Sequence, residues 1–148
     1  MSEHITHLSW QRDGAGFGYK DYPREHEIDF GNGHHLACTA AVEYLGKAGI
    51  PDPEQAFVAS LSSCHMLTFL AFCSLKKLTL ESYTDKAVGY LEKGENGKPV
   101  LARVELHPTT VFADGIEVSP ELLEELHHKA HEECFLANSV KTKITTVL

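Results

Sequence analysis

Positive charge is scarce in this chain. Thirteen Lys and Arg face 21 Asp and Glu for a formal charge of -8, and only Arg12, Arg24 and Arg103 are arginines. Such a surface repels phosphate backbones and anionic lipid, so neither nucleic acid nor a membrane is an expected partner. Long apolar runs are also missing: the most apolar stretch, 56–72, is interrupted by Ser60, Ser62, Ser63, His65 and Thr68. The opening Met1-Ser2-Glu3-His4 lacks a basic segment leading into an apolar one, which makes a cytoplasmic location the expectation. No internal repeat or low-complexity linker is visible. Cysteine motifs are absent too. Cys38, Cys64, Cys73 and Cys134 stand at wide spacings, which argues against a disulfide framework and favours reduced thiols.

What is present is ordinary globular composition, with 43% hydrophobic and 23% charged residues in 148. That length suits one domain over 1–148 with a single core. Ile5 to Trp10 reads as a strand, and Gly14 to Gly18 as a turn. Glu25 to Phe30 alternates, Gly31-Asn32-Gly33 makes a tight turn, and Leu36 to Ala40 returns antiparallel. Leu80–Leu91 and Leu101–Phe112 form a second hairpin around Asn96-Gly97, and Val140–Val147 closes the chain as a strand.

Two helices carry strong start signals. At Asp52-Pro53-Glu54-Gln55, aspartate caps, proline takes the first helical position and glutamine occupies the capping-box site. The helix extends to about Lys76, with Phe57, Leu61, Cys64, Thr68, Phe72 and Leu75 as its inward stripe, although its other faces are apolar as well. A helix so apolar must lie centrally, and Ser60, Ser62 and Ser63 allow another backbone to approach. Ser119-Pro120-Glu121 starts the second helix, whose stripe is Leu123, Leu126, Ala130 and Cys134. Cys64 and Cys73, nine positions apart, lie about 180° apart around the first helix and cannot share a site.

From spacing alone each cysteine reads as a small buried hydrophobe. The company of Cys64 is more informative. The segment from Asp52-Pro53-Glu54 to Ser63-Cys64-His65-Met66 places a cysteine ten residues after a Pro-Glu pair, and Ala130-His131-Glu132-Glu133-Cys134 leads into Ala137-Asn138-Ser139. With Tyr22-x-Arg24-x-His26 and Asp85-x-Ala87-x-Gly89, these motifs resemble the OsmC/Ohr family of osmotically inducible and organic-hydroperoxide-resistance proteins, from about residue 20 to the end. The match departs from the family at Phe135, where many members carry proline.

The resemblance implies an α+β fold of antiparallel β-sheets packed on a long central apolar helix plus a second helix, in an intertwined homodimer. It further implies a thiol peroxidase for organic hydroperoxides, with Cys64 peroxidatic, Cys134 resolving, an external dithiol as reductant and no cofactor. Only a thiolate attacks the O–O bond, so a buried thiol needs a cation, and arginine keeps its charge when buried. The family's arginine–glutamate pair maps its glutamate onto Glu54. Arg24, in the Tyr-x-Arg-x-His stretch, is the favoured arginine; Arg12, in an Arg-Asp-Gly turn like that of another family branch, is the alternative. Ten residues of helix put Glu54 about 15 Å from Cys64 along the axis, so the glutamate serving a given thiol is expected from another chain.

Two further readings remain. An apolar interface around Phe57, Met66, Phe69 and Phe72 would also suit a non-catalytic binder of hydrophobic ligands. His127, His131 and Cys134, on one face of the second helix, could hold a divalent ion, although three donors from one helix seldom complete a site. His65 points about 100° away from Cys64 and reads as a packing or supporting residue.

Overall fold

The computed structural model describes all 148 residues, which divide into two compact units, 1–56 and 57–148. The first unit holds a three-stranded antiparallel sheet in the order β1 (His7–Ser9), β2 (His26–Asp29), β3 (His35–Cys38). Its tight turn follows the sequence: Gly31, Asn32 and Gly33 all take positive φ (85°, 53° and 80°), and the Asp29 carboxylate accepts the Gly31 N–H at 2.6 Å. Glycine adopts that backbone without strain and asparagine with little. β1 is shorter than the sequence suggests, since Trp10 leaves the ladder and donates its indole N–H to the Pro23 carbonyl at 2.7 Å. Cys38 and Thr39 are the buried residues of this unit.

The first helix, α1 (Pro53–Leu75), starts with the expected reciprocal cap: the Gln55 N–H donates to Asp52 Oδ1 at 2.7 Å, and the Asp52 N–H donates to Gln55 Oε1 at 3.1 Å. Its buried residues in the second unit are Leu61, His65, Phe69 and Cys73, four apart each time. That differs from the expected stripe, of which Cys64, Thr68 and Phe72 are half-buried and Leu75 is exposed. The reason is physical: where all faces are apolar, periodicity does not choose one, and the partner surfaces decide.

Those surfaces form two cores. Phe69 and Cys73 pack with Leu126 and Ala130 of α2 (Pro120–Glu133), and Leu61 packs with Val104 and Leu106 of a strand. Each long strand expected of the second hairpin is broken in two. β4 (Leu80–Asp85) pairs with β7 (Pro108–Phe112) as a two-stranded sheet, while β5 (Val88–Lys93) and β6 (Pro99–Leu106) enter another. Asp85 pins the break, accepting the His107 N–H at 2.7 Å and the Ser62 hydroxyl at 2.5 Å. Gly89 is required here, since a Cβ would lie 2.5 Å from Val58 Cγ2 and 2.8 Å from Leu101 Cδ2. β8 (Lys143–Thr146) runs parallel to β6, with α2 in the crossover, so one parallel pair joins the antiparallel set.

Candidate active site at two thiols

The turn that ends α2 sets the site. Ser119 caps its start by accepting the Leu122 N–H at 3.1 Å, and Cys134 terminates it at φ -71°, ψ 114°. The chain then folds back on itself: the Asn138 N–H donates to the Cys134 carbonyl at 3.0 Å, and the Ala137 N–H donates to Cys134 Sγ at 3.4 Å. This brings Cys134 to Cys64 on α1, with its thiol donating to Cys64 Sγ at 2.8 Å across 70 positions of sequence. Both cysteines are free. Burial pushes the Cys134 thiol pKa up and the contact with Cys64 adds to this, while the Ala137 N–H works the other way. Phe135, the departure from the family pattern, projects into solvent at 83% exposure and leaves the contact undisturbed.

The other two thiols stand apart. Cys73 is buried in the α1–α2 core, where burial raises its pKa, and Cys38 is buried in the first unit, raised by burial and then by Asp52. Glu54 occupies the first turn of α1, and makes no ion pair within its own unit. In the first unit Arg24 donates to the Tyr22 carbonyl at 2.6 Å and to the Tyr19 carbonyl, with its guanidinium 3.7 Å from the Tyr22 ring centroid. Arg12 donates to the Ala15 carbonyl at 2.5 Å, and Arg103 is engaged by Glu92, Glu105 and the Tyr90 ring.

One feature of this region was missed by spacing. His65 Nε2 and His127 Nδ1 share a hydrogen bond of 3.0 Å, both side chains being buried. Burial pushes the His65 imidazole down to about 4, reinforced by His131 and opposed by Asp85. His127 is likewise pushed down to about 4 by burial and then by His65. Both rings are therefore neutral at physiological pH. The available signal was His65 lying midway along the Leu61, His65, Phe69, Cys73 spacing. His127, one of the proposed metal donors, is engaged with His65, and no group of three or more His, Cys, Asp or Glu side chains is arranged to hold a metal ion.

Comparison with known proteins places the chain in a family. The family model for OsmC-like proteins matches residues 46–148, most of the chain. The chain belongs to the OsmC-like family. An OsmC-like protein of unknown function from Vibrio cholerae shares 41% identity over 99% of both chains, with a TM-score of 0.95. An organic hydroperoxide resistance protein from Elizabethkingia anophelis shares the fold at 21% identity and a TM-score of 0.70, covering 98% of this chain and 94% of its own. The corresponding protein OhrB of Bacillus subtilis does so at 18% identity and 0.63, covering 97% and 98%. No curated protein matches the chain. The OsmC-like assignment thus fixes the family and the fold.

Proposed function

We propose that this OsmC-like protein is a thiol-dependent peroxidase that reduces organic hydroperoxides and works as a homodimer. The observation that carries the reading is the meeting of Cys64 and Cys134 at 2.8 Å, on the two family motifs. Cys64 thiolate attacks the distal oxygen of ROOH, the O–O bond breaks, and the alkoxide takes a proton to leave as ROH. Cys64 is then a sulfenic acid. Cys134 attacks its sulfur and water departs, giving a Cys64–Cys134 disulfide that an external dithiol reduces. The hydroperoxide gains the two electrons the thiols lose. We assign Arg24 the role of stabilising the thiolate, and Glu54 that of orienting Arg24.

Two features support an apolar substrate and a dimer. The first unit carries a cleft of about 510 Å³ walled by Trp10, Phe17, Tyr22, Pro23 and Arg24, and an alkyl tail gains roughly 25 cal/mol per Å² buried in such surroundings. An 18-residue window of α1 has mean hydropathy 1.7, long and apolar enough by composition to cross a membrane, yet only 22% of it is buried within one chain. A second copy covers that surface most economically, and the separation of Glu54 from Cys64, about 15 Å along one helix, favours a glutamate from another chain. Second-order rates with cumene hydroperoxide and hydrogen peroxide test the substrate class. The organic peroxide is expected to react faster, with loss of two free thiols per chain; equal rates would contradict an apolar substrate, and retention of all thiols favours a non-catalytic binder.

A further inference from the structure

We propose that His65 and His127 are positioning residues that hold α1 and α2 in the orientation where Cys134 reaches Cys64, so that their hydrogen bond sets how readily the disulfide closes. The inference rests on the thiol-pair reading above, yet concerns disulfide closure from any oxidant. Cys64 and His65 are consecutive on α1, while His127 precedes Cys134 by seven residues, about 10.5 Å along α2 at 1.5 Å per residue. The two helices thus meet at the thiols and at the imidazoles, and also through the apolar packing of Phe69 and Cys73 on Leu126 and Ala130. Apolar packing is non-directional, whereas the imidazole bond constrains the angle of α2, so looseness at His127 becomes displacement of Cys134.

The imidazole contact is built to resist that pivot. His127 is gripped twice by α1: by the 3.0 Å bond to His65, and by the Phe69 ring, with centroids 4.2 Å apart and planes 20° from parallel. The two His rings lie within 2° of parallel, which aims each shared nitrogen at the other. Packing alone does not explain this choice. His65 Nδ1 and His127 Nε2 are buried without a hydrogen-bond partner in the chain, so two neutral imidazoles are a costlier filling than two aliphatic side chains. A directional bond is what the aliphatic pair would lack. Both rings being neutral, the bond forms when they take complementary tautomers, one shared nitrogen carrying the proton and the other accepting it.

Equilibration of the purified protein with glutathione buffers tests this without any peroxide: protein dithiol plus oxidised glutathione gives protein disulfide plus two reduced glutathione. His65→Leu/His127→Leu keeps the core filled, and its melting temperature is expected to match or exceed that of the parent, while the Cys64–Cys134 disulfide equilibrium constant falls by about tenfold or more. His65→Gln and His127→Asn each return a hydrogen-bonding atom near the shared nitrogen, and are expected to stay within about threefold of the parent. A double-leucine constant within twofold of the parent overturns the proposal. Gln and Asn variants as impaired as double leucine overturn the role of the hydrogen bond. A protein inert to hydroperoxide but showing the double-leucine loss would sink the peroxidase reading and leave this inference standing.

Discussion

Nine residues of one helix separate two thiols with opposite surroundings. Cys73 sits among Phe69, Leu126 and Ala130, with no polar partner for its sulfur and a pKa raised by burial. Cys64 is half-buried, accepts a hydrogen bond from Cys134, and directly precedes His65 of the buried imidazole pair on α1. Sequence type and helix are the same; the neighbours differ. What separates the filling cysteine from the one proposed to react is the seam between two helices, where a second thiol arrives on a capped turn.

The sharpest test of that contrast is a pair of serine variants. Cys64→Ser is expected to reduce hydroperoxide consumption to the uncatalysed background in a ferrous–xylenol orange assay. Cys73→Ser is expected to retain activity but lose about 1–3 kcal/mol of stability in urea titration, because a hydroxyl replaces a sulfur in an apolar core. Activity lost equally in both would erase the distinction.

Next in size is Cys134→Ser. The sulfenic acid on Cys64 then meets no trapping thiol, and stepwise peroxide is expected to add oxygens to Cys64, read by intact-mass spectrometry. A smaller effect is expected at the assigned cation: Arg24→Ala slows alkylation of Cys64 by iodoacetamide near neutral pH, and Glu54→Ala gives a weaker version. Refolding Arg24→Ala together with Cys64→Ser restores part of the activity if the arginine acts across the dimer. Unchanged alkylation in Arg24→Ala would move the role to Arg12.

The mildest prediction is a pH dependence from the imidazole pair. His65 and His127 have pKa values lowered to about 4, while unfolded histidine titrates near 6.5, so the unfolded chain binds more protons between those values. Their contribution to stability is complete above about pH 6.5 and is lost progressively as pH falls towards about 4. Each proton taken up only on unfolding adds a slope of about 1.4 kcal/mol per pH unit. Urea midpoints across this range should fall with pH in the parent, and fall less in His65→Leu/His127→Leu.

The parts of this account that were legible in the sequence are those governed by local chemistry. Asp52 and Gln55, Ser119 and Pro120, and Gly31-Asn32-Gly33 act on their own neighbours, so both helix starts and the first turn could be read directly. The family motifs supplied Cys64 and Cys134. What could not be read depended on partners far away in sequence. The buried face of α1 went to Leu61, His65, Phe69 and Cys73 because α2 and β6 dock there, and an apolar helix gives no periodic hint of it. The break between β4 and β5 needed the contacts of Asp85 with Ser62 and His107, 23 and 22 positions away. The parallel pairing of β8 with β6 likewise required the whole α2 crossover.

The most direct test of the central claim is intact-mass and peptide-mapping mass spectrometry of the reduced protein after one equivalent of cumene hydroperoxide. The expected result is the loss of two hydrogens per chain and a single linked peptide joining Cys64 to Cys134, with Cys38 and Cys73 still alkylatable after denaturation. A Cys38–Cys73 bridge, or an unchanged mass with four free thiols, would contradict it.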